Sequence, residues 1–311
     1  MTTKPVVLLA VDGSPQSMLA VVYISQLIDP KRVAVDLFHV KADAPEAIYD
    51  LVGDEGISHY AQEIGQWAAL ASTSIGRFME QSKEVFLEAG FPAADVTIAI
   101  QPRKIGIARD ILNRCESGYA AVVFGRQGYG ALGEYMLGSV AAKLVEAVSH
   151  VPVVIVGGGT DNKKVMVAFD SSKQIQHGLE QVSRLVIKDL DEILLCHIVR
   201  PLALPSSAVR YSFKAGYDSH WLDANTQKII PDMVAAKKRL SHTGFDLDIF
   251  KTAILKEKSS RAKGLSEEAD ARGFGTIIIG RRGLTVVKEF TMGRVPRKLL
   301  HLTLHQAVWI V

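Results

Sequence analysis

The chain has 311 residues, a length that suits about two domains, and 48% of them are hydrophobic, enough for two full cores. Thirty-six basic and 33 acidic residues leave a net charge of +3, so overall charge selects neither nucleic acid nor an anionic membrane as partner. Two cysteines, Cys115 and Cys196, one in each half, form neither a disulfide framework nor a CxxC metal or redox pair, which points to a reduced cytoplasm.

In chain order, the first apolar run, Val6 to Val11, is stopped by Asp12. It is too short for a signal-peptide core or a membrane span and reads as a strand. Ser14-Pro15 then supplies a helix N-cap and a proline for the first helical position. The apolar pattern predicts strands at 5–11, 33–40, 95–100, 120–124 and 152–156, with helices near 15–29, 62–89, 103–117 and 139–149. Continuous apolar strands separated by helices predict a parallel sheet covered on both faces. Along the second helix, Ile64, Trp67, Ala71, Ile75, Phe78 and Val85 have the spacing of a core-facing stripe. Gly90 sits where that helix must turn out into the third strand. Two long loops, 41–61 and 200–227, are candidates for ligand walls or partner surfaces.

The stretch from Ala120 to Val156 is an apolar strand, a glycine-rich loop, a helix and a second apolar strand. Gly125-x-x-Gly128 is followed by nine residues and then Gly138-Ser139. Glycines let a ligand approach the main chain, and a helix start offers unpaired N–H groups and the positive end of the helix dipole, so the spacing suits phosphate oxygens. Ser139 could equally serve only as an N-cap.

This unit occurs twice. Gly125, Gly128, Gly138, His150 and Val156 recur as Gly280, Gly283, Gly293, His305 and Val311, each 155 positions later without a gap. Upstream, VVLLAVDGS answers VMVAFDSS, pairing Asp12 with Asp170, LFHV answers LLCHIV, and Gly90-Phe91 answers Gly244-Phe245. The expected architecture is α/β: two tandem doubly wound domains, 1–157 and 163–311, each a five-stranded parallel sheet in the order 3-2-1-4-5 with helices on both faces. The joint falls near Gly157–Asn162. The last strands, VPVVIV and QAVWIV, are apolar edges that need covering. They could meet within one chain as a pseudo-dimer, with a homodimer as a further option.

In that strand order Asp12, at the end of the first strand, and Gly125, at the end of the fourth, border the switch-point crevice where ligands bind. Asp12 there suits a ribose hydroxyl or a base amine, although a capping role in Asp-Gly-Ser is as common a use.

Asp12 together with Gly125-x-x-Gly128, nine residues and Gly138-Ser139 resembles the ATP-binding pattern of the universal stress protein family, and the whole chain resembles a tandem member. The resemblance implies a cytoplasmic stress-response protein that binds ATP, with or without Mg2+. In that case Asp12 and the main chain at Val40 face the adenosine, while Gly125, Gly128, Gly138 and Ser139 hold ribose and phosphates. Arg126 is either an extra phosphate contact or a solvated loop arginine. ATP would order the loop from Arg126 to Leu137 and so change a partner surface.

The second copy departs from the pattern at Arg294, which replaces Ser139, and at Pro296. Arg294 could fill the cradle in place of phosphate charge, or reach out with Arg281 and Arg282 to clamp a polyanion. The first option predicts nucleotide mainly in the N-terminal half. His301 and His305 have a metal-ligand spacing only if one helix carries both. No P-loop, no GxSxG turn and no general base beside a metal-binding carboxylate pair are present, so no catalytic or metal residue is assigned. A slow ATP hydrolase or nucleotidyl transferase, and a scaffold that needs no nucleotide, are the competing readings.

Overall fold

Val7, Leu8 and Leu9 have no exposure to solvent, which an alternating one-faced strand could not achieve. The computed structural model places them in strand β1 (Val6–Ala10), the centre of a sheet covered on both faces. The structure describes residues 4–41, 58–128, 137–158, 162–200, 217–256, 258, 260–283 and 291–311. The chain divides into two compact units, 1–151 and 152–311.

In the first unit β1 is followed by α1 (Pro15–Leu27), β2 (Ala34–Lys41), α2 (Ser58–Glu88), β3 (Val96–Pro102), α3 (Ile107–Cys115), β4 (Ala121–Gly125) and α4 (Ser139–Ala147). β2 pairs with β3, β1 with β2 and β1 with β4, all parallel, so β3-β2-β1-β4 are consecutive neighbours. The predicted start of the helix after Asp12 is correct: Ser14 accepts a hydrogen bond from the Ser17 N–H and Pro15 occupies the first turn. Gly90 turns the chain out of α2 with φ 91°, and Gly244 does the same in the second unit with φ 101°.

The core stripe of α2 is displaced from the expected one. Among the described side chains of α2, Ile75, Met79, Ser82 and Phe86 are the buried positions, Phe78 and Val85 are half-buried, and Ala71 is exposed. The side chains of Ile64 and Trp67 lie outside the described residues. Only part of each long loop remains a loop candidate, since α2 begins at Ser58 and its counterpart at Tyr217. Residues 42–57 and 201–216 lie outside the described residues.

The second unit contains β5 (Val153–Val156), β6 (Lys164–Ala168), α5 (Lys173–Leu185), β7 (Glu192–Ile198), α6 (Tyr217–Ser241), β8 (Phe250–Leu255), α7 (Arg261–Arg272), β9 (Thr276–Ile279), α8 (Arg294–Leu302) and β10 (Ala307–Ile310). Parallel pairs give the order β8-β7-β6-β9-β10, the expected 3-2-1-4-5 of the repeat. β5 is counted with this unit because it runs antiparallel to β10, with Ile155 opposite Val308, Val154 opposite Trp309 and Val153 opposite Ile310. The two apolar terminal strands thus cover each other. The Gly157 and Gly158 N–H groups continue the pairing to Gln306 and Leu304 carbonyls. A Cβ on Gly157 would lie 2.4 Å from the Leu304 oxygen, so this glycine permits close backbone approach.

A buried carboxylate also distinguishes the first unit from the second. In the first unit Arg114, in the last turn of α3, donates to Asp36 Oδ2 at 2.9 and 2.6 Å. Tyr119 O–H donates to the same oxygen, Thr97 O–H donates to Oδ1, and Asp36 is 4% exposed. In the second unit Leu194 stands where Asp36 would, and Arg272, in the last turn of α7, takes Glu192 instead at 2.5 Å.

Candidate functional site

The β1–α1 turn begins where the Val11 N–H donates to the Phe38 carbonyl of β2 at 2.9 Å. Asp12 follows, then Gly13 with φ 85°, a left-handed conformation that glycine adopts without steric penalty. The turn folds back on the Asp12 carboxylate: Ser14 N–H donates to Oδ1 at 3.0 Å and Ser17 O–H donates to it at 2.6 Å. His39 holds the turn from β2, its Nδ1 lying 2.8 Å from the Val11 carbonyl. A carbonyl only accepts, so Nδ1 carries the proton. Burial lowers the pKa of this imidazole, against smaller opposing effects of the Val11 bond and the Asp12 charge.

The glycine loop after β4 meets this turn. A Cβ on Gly128 would fall 2.1 Å from Asp12 Oδ2, and one on Gly125 would lie 3.2 Å from the Gln16 carbonyl. Two motifs more than a hundred residues apart are therefore in contact, and glycine is required for that contact. Gly138 N–H donates to the Arg126 carbonyl at 3.0 Å, which draws the start of α4 against the same loop. Gly138 is the N-cap of α4, with no side-chain cap, and Ser139 is the first helical residue, so a capping role for Ser139 is excluded. The first-turn amides and an exposed hydroxyl accordingly lie together at the positive end of the helix. Asp12, Gly125, Gly128, Gly138 and Ser139 form one locality.

One predicted site residue is placed differently. Arg126 is 5% exposed, not a solvated loop arginine, and burial lowers its pKa. Its carbonyl, through Gly138, is the part seen to build the cradle. Val40 is buried near the end of β2, two residues beyond Phe38, and so lies at the same end of the sheet. Residues 129–136, most of the loop expected to order with ATP, lie outside the described residues.

The second copy repeats the frame. Ser172 N–H donates to Asp170 Oδ1 at 3.0 Å, His197 Nδ1 lies 2.7 Å from the Phe169 carbonyl, and Gly293 N–H donates to the Arg281 carbonyl at 2.8 Å. A Cβ on Gly283 would lie 3.0 Å from Asp170 Oδ2. Gly280 directly follows β9, with the Arg282 carbonyl and Ile175 close by. The position of Gly13 is taken by Ser171, which keeps the left-handed backbone at φ 60°. Ser17 is replaced by Ile175, fully buried. Arg281 is buried at 7% exposure, Arg282 Nε donates to the Thr291 carbonyl, and Arg294 is exposed rather than packed across the cradle.

Sequence reasoning missed Ser17 and the two histidines. The histidines carried a signal, the same residue at the same place in both copies; Ser17 carried none, because only folding shows what its hydroxyl meets. Among the described residues no group of three or more His, Cys, Asp or Glu side chains could hold a metal. α8 ends at Leu302, so His301 and His305 do not share a helix. Burial pushes the thiols of Cys115 and Cys196 up to about 11 and about 12, leaving both protonated at neutral pH. Among the described residues, no helix is long and apolar enough to cross a membrane.

Known proteins share this fold and its duplication. The model of the Universal stress protein family matches residues 5–157 and again 161–311. Universal stress protein YxiE of Bacillus subtilis (strain 168) is 31% identical over 151 residues, 48% of this chain and 96% of that protein. Among solved structures, a universal stress protein from Archaeoglobus fulgidus DSM 4304 is similar over 98% of this chain and 95% of its own, with TM-score 0.59 and 16% identity. Protein PA1789 of Pseudomonas aeruginosa PAO1, described as functionally unknown, is similar over 99% and 92%, with TM-score 0.52 and 11% identity.

Proposed function

The chain belongs to the universal stress protein family, with one family domain in each half, and from that premise we propose that it is a cytoplasmic, ATP-binding stress-response protein whose N-terminal cradle holds the nucleotide. The observation that carries this is the contact of Gly128 with Asp12: a Cβ at Gly128 would come within 2.1 Å of Oδ2, so a carboxylate suited to ribose or base stands beside a loop suited to phosphate. The residues present fit the nucleotide. Gly138 leaves α4 without a side-chain cap, Ser139 adds a hydroxyl, and at Gly128 any side chain would fill the approach. Mg2+ would arrive with the phosphates and their water rather than in a protein cage.

Asp12 binds and orients; its Oδ1 is already engaged by Ser14 and Ser17, which suits a fixed acceptor better than a general base. Bound ATP supplies occupancy as a signal, and hydrolysis is at most slow. In the second half the hydroxyl of Ser139 is lost to Arg294, and nucleotide binding there is weak or altered. β5 pairs with β10, so the terminal strands of the two repeats cover each other. Calorimetric titration of the full chain with ATP tests the assignment. One site per chain is expected; two equal sites, or none, would overturn it. Turnover at many events per second, lost on changing Asp12, would move the protein to the enzyme class.

A further inference from the structure

We propose that Ser17 is the positioning residue of the N-terminal cradle, holding the Asp12 carboxylate in the orientation that receives the nucleotide, and that its replacement by Ile175 is a second cause of asymmetry between the halves. The inference rests on the nucleotide reading of the site and adds to it a residue that touches no ligand.

Ser17 is 3% exposed and lies in the first turn of α1. Its hydroxyl oxygen lies 3.1 Å from the Asp12 N–H and 3.3 Å from Ser14 Oγ, and 2.6 Å from Asp12 Oδ1. The backbone N–H can only donate, and the Ser14 hydroxyl donates as well, so the Ser17 proton is directed to the carboxylate. A short hydroxyl–carboxylate bond together with the Ser14 N–H on the same oxygen fixes the carboxylate plane and leaves Oδ2 on the Gly128 side. The clamp is local to the turn, since its members are residues 12, 14 and 17.

The second half shows the turn without the clamp. Among the described residues Asp170 receives only the Ser172 N–H. Ile175 still donates its backbone N–H to Ser172 Oγ, as Ser17 does to Ser14 Oγ. Helix capping is therefore common to both copies, and the carboxylate clamp is confined to the first.

That distinction sets the experiment: ATP titration of the full chain, and carbon NMR of the Asp12 carboxyl in the ATP-free chain, for wild type, Ser17→Ala and Ser172→Ala. Ser17→Ala is expected to move the Asp12 carboxyl signal and to weaken ATP by about tenfold with unchanged stoichiometry, the scale of one hydrogen bond to a charged group. Ser172→Ala removes the equivalent cap of the second copy, whose side chain accepts from the Ile175 N–H, and lowers the unfolding midpoint, but keeps ATP affinity within about twofold of wild type. An unmoved carboxyl signal in Ser17→Ala, an unchanged affinity, or an equal loss in Ser172→Ala would overturn the proposal. Should Ser17→Ala not fold, Ser17→Thr against Ser17→Val, of the same shape with and without the hydroxyl, gives the same contrast. If the wild type takes up no ATP, the nucleotide reading falls by itself, and the carboxyl signal alone decides whether Ser17 holds Asp12.

Discussion

The two cradles of this chain share a frame and differ in what the frame presents. Both keep an aspartate at the end of the first strand of the repeat, a histidine bound to the preceding carbonyl, and a glycine N-cap tied to the arginine carbonyl of the loop. The first presents Gly13, Ser17 and Ser139, whereas the second presents Ser171, Ile175 and Arg294. Each of these frame contacts has a backbone atom at one end, a carbonyl for the histidines and glycine caps and an N–H for the aspartates. Presented side chains can differ without changing the frame, and the duplication displays two sets of them in one polypeptide.

The sharpest way to break the comparison is at the glycine that meets Asp12. Gly128→Ala places a methyl 2.1 Å from Oδ2 and must turn the clamped carboxylate away. ATP affinity should fall about a hundredfold or more by titration, equivalent to about 3 kcal/mol. Gly283→Ala, with 3.0 Å available, should leave ATP affinity at the wild-type value. Ser139→Arg, which transfers the second half's residue to the first, should weaken ATP by roughly tenfold to a hundredfold, from the loss of a hydrogen bond to charged phosphate. An unaltered cellular role in that variant would favour the scaffold.

A third test concerns the buried Asp36 carboxylate of the first unit. Asp36→Leu copies Leu194 but leaves Arg114 without its carboxylate and Tyr119 and Thr97 without their acceptor. Urea unfolding should show a loss of about 3 kcal/mol, because Ala34, not a second carboxylate, stands where Glu192 does. Acid tests the common frame. Burial lowers the pKa of both His39 and His197 below 6.5. The unfolded chain therefore binds more protons, so stability is fully present above pH 6.5 and declines as pH falls toward the folded values. His39→Gln and His197→Gln should each remove part of that decline in unfolding midpoints between pH 7.5 and 5, and to a similar extent. The smallest effect is at Ser171: Ser171→Gly should stabilise by roughly 0.5 kcal/mol, the left-handed penalty less the entropy of a more flexible unfolded chain, while Gly13→Ala should destabilise by about 1 kcal/mol.

Sequence alone determined the duplication, the strand order of the repeat and the glycines at 90, 125, 128 and 138, because each answers a local demand: a continuous buried strand, a left-handed turn or a close backbone approach. Family membership was legible for the same reason, since the spacing of glycines and serine is a backbone requirement written in consecutive residues. Only the tertiary structure decided that Asp12 Oδ2 faces Gly128, that Arg126 is buried, that Ser139 follows the cap, that β5 pairs with β10, and that Ser17 clamps Asp12. Even the core stripe of α2 was displaced, because burial depends on which helix face the sheet meets. Such contacts arise between distant segments or from the direction a side chain takes in the packed turn, and residue type and spacing do not encode that direction.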